Sequence, residues 1–154
     1  MQKLKNKKTI TICCSLSFFK KIFGIEKKLK ELGFKVIVPK TTKAMRKTNN
    51  YNVNFYKTWY KNKSHYYKKK ELMIDHFKKI IKSDAILVIN EEKNGIKGYI
   101  GGNTLMEMTI AFHYKKPIFI YSEIDENLNI KEEVYGLNSI FIKEDLKTLS
   151  KKLL

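Results

Sequence analysis

Five short runs of aliphatic and β-branched residues punctuate the chain: KTITICCS (8–15), FKVIVP (34–39), DAILVIN (84–90), PIFIYS (117–122) and SIFI (139–142). Most of the segments between them carry helical apolar spacing. No other feature constrains the fold as strongly. Apolar runs of that length read as strands buried on both faces, and strands that alternate with helices pair in parallel. The resulting sheet needs helices on both sides to keep water off it.

With right-handed crossovers, this pattern predicts an α/β, flavodoxin-like fold: a doubly wound sheet of five parallel strands, three layers, order 2-1-3-4-5. One helix is expected at 16–33, with Phe19, Ile22, Phe23, Leu29 and Leu32 on one face and Gly33 at its C-cap. A second is expected at 71–83, burying Leu72, Ile74, Phe77, Ile80 and Ile81. Further helices are expected at 103–115 and 143–153, with a variable connection at 123–138. Residues 40–70, rich in Lys, Asn, Tyr and Thr around Trp59, break the periodicity. They read as a partly helical excursion over the rim of the sheet. By length, residues 1–154 form one domain.

Composition excludes several classes. A hydrophobic fraction of 43% with 12% aromatics supports a folded core, and no apolar run approaches the roughly 18 residues of a membrane span. Lys3, Lys5, Lys7 and Lys8 before TITICCSLSFF mimic a secretory leader. Charge resumes at Lys20 and Lys21, however, no small-residue cleavage site follows, and the run alternates like a strand. A cytoplasmic protein is expected, with Cys13 and Cys14 reduced on opposite faces of one strand. His65, His76 and His113 are scattered without zinc-type spacing, so neither a metal site nor a cofactor is expected. The net charge of +17 is uneven: residues 1–82 hold 23 basic and 4 acidic side chains, residues 83–154 hold 9 and 11. Because 31 of the 32 basic residues are Lys and Asn reaches 12, compositional bias and a solvated surface account for much of it. A basic half can equally attract phosphate or nucleic acid.

Sheets of this order bind ligands beyond the carboxyl ends of the strands, where the winding reverses. That point falls between the Cys14-Ser15 turn and the loop from Asn90 to Asn103. Gly95, Gly98, Gly101 and Gly102 lie within this loop, allowing close backbone approach, and the following helix start offers free N–H groups. Glu107 is the one charged residue of 98–114, in a helix otherwise suited to burial. Thr104 and Glu107 fit a capping box, in which the carboxylate accepts a backbone N–H. Alternatively, the carboxylate serves chemistry. It can attack or stabilise an oxocarbenium-like sugar carbon while Asp75, His76 or Asp84 protonates the leaving group. A nucleoside offers such a carbon at C1′, with a nucleobase as leaving group.

ITICCS, SDAILVIN and NGIKGYIGGNTLMEMTIAFHYKKPIFI together resemble the nucleoside 2-deoxyribosyltransferase-like superfamily, which includes 2′-deoxynucleoside 5′-monophosphate N-hydrolases. More specifically, the resemblance is to short members of that superfamily, over about residues 9–38 and 72–145. This resemblance implies a flavodoxin-like sheet, homo-oligomers with sites near subunit interfaces, and a Glu nucleophile corresponding to Glu107. Where that family places a polar Asp or Ser six residues before the nucleophile, this chain has Gly101. Where it has an Asp near the end of the preceding helix, this chain has His76 with Asp75 beside it. Its first turn usually contains glycine; here Cys14 stands there.

The expected site therefore comprises Glu107, His76 and Asp75 as catalytic residues, and Ser15, Asn90, Tyr99, Gly101, Gly102 and Asn103 as substrate-binding ones. Ser15 either holds a phosphate or sugar oxygen or is an ordinary N-cap. Asp84 and Asn94-Gly95 read first as turn residues, and Met106 as core. The lysines and aromatics of 40–70 suit a lid, a subunit contact or single-stranded nucleic acid, with the first two favoured. Three functions result. The favoured one is a nucleoside or nucleotide N-glycosidic enzyme, transferring or hydrolysing. The others are a catalytically silent nucleotide-binding or protein-interaction module, and a basic nucleic-acid binder.

Overall fold

A computed structural model describes residues 6–154; Lys3 and Lys5 of the basic N-terminal run lie outside the described residues. Strands β1 (Thr9–Cys14), β2 (Lys35–Ile37), β3 (Ala85–Ile89), β4 (Ile118–Ile120) and β5 (Ile140–Phe141) form one parallel sheet. Its order is β2-β1-β3-β4-β5, as the alternation predicts. The register runs from Ile10 beside Ala85 to Cys14 beside Ile89, so β1 and β3 end level at the carboxyl edge.

Side chains sort by strand parity. Ala85, Leu87 and Ile89 pack toward α1 (Phe19–Glu31) and the closing helix α7 (Leu146–Leu153). Ile86 and Val88 pack on the other face, with α4 (Tyr66–Lys82), α5 (Gly102–His113) and α6 (Lys131–Gly136). Burying each such side chain is worth about 1.5–3 kcal/mol, which makes this two-sided strand the centre of the core. Helix α1 stops as its sequence dictates. The Phe34 N–H returns to the Leu29 carbonyl and the Gly33 N–H to that of Lys30, with Gly33 left-handed at φ 93°.

The excursion is built of short helical pieces: α2 (Lys40–Thr48), α3 (Val53–Tyr56) and two 3₁₀ turns, Thr58–Tyr60 and Lys63–His65. Glu26, buried on α1, accepts hydrogen bonds from Lys30 and from Arg46 of α2, tying the excursion to the body of the fold. Helix α4 starts at Tyr66, five residues before the expected 71. Its first turns carry lysines, good helix formers with no apolar spacing to betray them. Within α4 the buried stripe runs through His76 and Ile80, while Ile74, expected inside, is 41% exposed. A further correction concerns α5. Its N-cap is Gly101, so Glu107 stands beyond the first turn and is not the partner of a capping box. Among the described residues, no helix is long and apolar enough to cross a membrane.

The loop between β3 and α5 is pinned by Gly98. It sits at φ 63°, and a Cβ there would lie 2.0 Å from the Glu123 carbonyl oxygen. Gly98→Ala is therefore expected to cost about 3 kcal/mol or more of unfolding free energy by urea titration. Gly24→Ala, in open space on α1, should instead be neutral or stabilise by up to about 1 kcal/mol.

Candidate active site

At the carboxyl edge, where the winding reverses between β1 and β3, a cleft of about 280 Å³ opens. Ser15 of the first turn, the start of α5 and one face of α4 form its walls. The excursion roofs it with Lys57, Trp59 and Tyr60. Four lysines line it, Lys40, Lys57, Lys69 and Lys93, against a single carboxylate among the described residues, Glu107.

Glu107 is 5% exposed. Its Oε1 accepts a hydrogen bond from Asn103 Nδ2 at 2.9 Å, one helical turn earlier. Asn103 Oδ1 in turn accepts one from Lys69 Nζ at 2.7 Å. The chain Lys69–Asn103–Glu107 thus runs from the α4 wall to the floor of the cleft. Glu107 Oε2 is buried without a hydrogen-bond partner. Behind the carboxyl lie His76, with Nε2 3.8 Å from Oε1, and Cys13, with Sγ 3.7 Å from the same ring nitrogen.

Burial dominates the protonation of this group. It pushes the Glu107 carboxyl up to about 8, against the opposing pull of Cys13, Lys69 and Asn103. It lowers the His76 imidazole to about 4, with Lys79 adding to the effect. Burial, then the Glu107 carboxylate, raises the Cys13 thiol well above its usual range. The ring is consequently neutral near pH 7, and its 3.8 Å approach to Glu107 is not an ion pair.

The remaining expected residues divide. Gly101, Gly102, Asn103, Tyr99, Ser15 and His76 all line the cleft with Glu107. Ser15 makes no side-chain cap to the turn after it; its Oγ lies 3.5 Å from Lys93 Nζ. Neither Gly101 nor Gly102 has a positive φ, and a Cβ at Gly101 would only touch the Tyr99 ring at 3.4 Å. Asn90 is a correction. It donates to the carbonyls of Gly98 and Ser122 and accepts the Ser122 N–H, so its amide is spent on bracing two loops. Asp75 is another: it pairs with Lys79 at 2.7 Å and does not line the cleft. Asp84 accepts the Thr9 N–H at 2.7 Å, at the amino end of the sheet. Met106 is exposed on α5, outside both core and cleft.

Sequence reasoning missed Lys69 and Cys13. Lys69 stands three, four and seven residues before Leu72, Met73 and His76, which share its helix face and line the cleft with it. A helix drawn from Tyr66 would have placed it there. Cys13, an ordinary apolar strand position, carries no local signal. Cys13, His76 and Glu107, far apart in the sequence, converge in the fold, with one potential ligand atom of each within 4.8 Å of the others.

The folded Glu107 carboxyl holds its proton up to about pH 8, whereas an unfolded carboxyl releases it near 4.5. Between those values the folded chain binds more protons, so this group lowers stability as pH rises. Glu107→Gln should therefore be more stable than the parent at pH 9, on the order of 2 kcal/mol or more in urea melts, and nearly equal to it at pH 4.5.

No protein-family model matches the chain, and no curated protein matches it. Among solved structures, it is similar to a 2-deoxyribosyltransferase from the psychrotolerant bacterium Bacillus psychrosaccharolyticus, with a TM-score of 0.59 and 16% identity. The match covers 92% of this chain and 90% of that one. A likeness of that kind is one of fold: the five-stranded, three-layer α/β architecture is common to both.

Proposed function

We propose that this protein breaks the N-glycosidic bond of a nucleotide, hydrolysing it or passing the (deoxy)ribosyl group to another base, with Glu107 as nucleophile. One observation carries the reading: a single carboxyl, buried and oriented by Asn103 and Lys69, at the floor of a cleft otherwise lined with lysine. A Glu107 oxygen bonds to C1′, and the base departs with the electron pair of the broken C–N bond and takes a proton from water. Water or a second base then displaces the carboxylate from C1′. The fold shared with a 2-deoxyribosyltransferase supports this reading.

The lysines favour a nucleoside 5′-monophosphate over an uncharged nucleoside. Their arrangement around a small cleft, instead of along an open groove, favours a mononucleotide over a nucleic-acid strand. Trp59 and Tyr60 form a lid over the bound nucleotide. His76 is neutral and in contact with the carboxyl, so its part is to position Glu107, not to protonate the base. Exposed Met106 and Phe112 on the outer face of α5 favour a homo-oligomer.

The test is chromatography of nucleosides and 5′-monophosphates after incubation with the protein. Base release or exchange is expected, with monophosphates preferred by about tenfold or more in kcat/KM. Glu107→Gln should lose about 10³-fold or more; a variant as active as the parent removes Glu107 from the reaction. Because only the ionised carboxylate attacks, kcat/KM should rise with pH through a midpoint near 8 and then level off. Lys69→Met withdraws a positive charge that favours ionisation, and should move that midpoint upward.

A further inference from the structure

The reaction above leaves Cys13 without a part, although its sulfur lies in a group of three metal-ligating side chains. Cys13 comes from β1, His76 from α4 and Glu107 from α5, all packed elements of the core. One ligand atom from each lies within 4.8 Å of the other two. We infer that Cys13, His76 and Glu107 form a binding site for one zinc-class divalent cation, with the fourth coordination position open to the cleft.

Geometry supports the inference first. In tetrahedral zinc coordination, a thiolate sulfur and an imidazole nitrogen stand about 3.6 Å apart, and a nitrogen and a carboxylate oxygen about 3.3 Å. Cys13 Sγ and His76 Nε2 are already 3.7 Å apart. His76 Nε2 and Glu107 Oε1 are 3.8 Å apart, about 0.5 Å beyond the coordinated separation. The second support lies in the same carboxyl: Glu107 Oε2, the neighbour of the oxygen that faces His76, is buried with no hydrogen-bond partner, which costs free energy.

Chemistry selects the ion. A thiolate with an imidazole prefers zinc-class metals to magnesium or calcium, which take oxygen ligands. One thiolate and one carboxylate also cancel the two charges of the ion, leaving a neutral buried centre. His76 and Glu107 both line the cleft, which provides the path of entry. A metal seated there ties up the Glu107 carboxylate, so zinc would inhibit the reaction proposed above. That consequence rests on the functional reading; the binding itself does not.

The test titrates untagged, metal-free protein with cobalt(II), followed by zinc(II) or magnesium(II), while absorption is recorded. One cobalt per chain is expected, with a sulfur-to-cobalt charge-transfer band in the near ultraviolet that zinc displaces and magnesium leaves. Cys13→Ser should abolish the band, and His76→Ala and Glu107→Gln should each weaken cobalt binding at least about tenfold. Cys14→Ser should retain both band and affinity. Absence of the band in the parent overturns the site, as does its survival in Cys13→Ser or its loss in Cys14→Ser. Should Cys13→Ser fail to fold by circular dichroism, the parent's stoichiometry and the affinity of Glu107→Gln still decide. Cobalt binding without base release would overturn the glycosidic reading alone, and base release without cobalt binding would overturn this site alone.

Discussion

Residues Ala85–Ile89 are buried on both faces and hydrogen-bonded along both edges, and a strand in that position dictates much of what surrounds it. Both faces need helical cover, so the chain must cross over one side of the sheet and later over the other. The change of side happens between β1 and β3, and there the connections diverge. The gap they leave at the carboxyl edge is the cleft. The cleft thus arises from the packing of an apolar strand before any polar residue is considered.

Into that gap the fold places a carboxyl that water would otherwise solvate. Desolvation raises Glu107 to about 8, and the hydrogen bond from Asn103 and the charge of Lys69 only partly offset it. A group held this way destabilises the empty protein at neutral and higher pH. It stands at the floor of the cleft, and strained or poorly solvated groups of this kind cluster at functional sites. The lysines of the roof act in the same sense, since each favours negative charge in the cleft beneath it.

Legibility in the sequence followed the range of the interactions. Strand alternation is local, and the five apolar runs led directly to the observed sheet order. Glu107 was visible because a lone charge in an apolar helix violates the pattern around it. Asn90 could not be read in the same way: whether a buried amide faces a ligand or braces two loops depends on Gly98 and Ser122, neither of which is its neighbour in sequence. Asp75 and His76 are adjacent on one helix, yet a turn of about 100° per residue sends one to Lys79 and the other into the cleft wall. Periodicity of apolar residues misjudged the phase of α4 and its first turns, since lysine stems and a histidine occupied positions that such a count assigns to isoleucine and leucine.

The amino-acid sequence by itself determined the layered α/β architecture, the edge at which the cleft opens and the identity of its singular carboxyl, because each follows from patterns spanning a few residues. Only the tertiary structure decided what that carboxyl touches. His76 reaches Glu107 directly, Cys13 through His76 and Lys69 through Asn103, and contacts between elements depend on register and crossover geometry, which no local pattern encodes. The protonation of the group follows from the same packing, since the dielectric around a side chain is set by every element that closes over it.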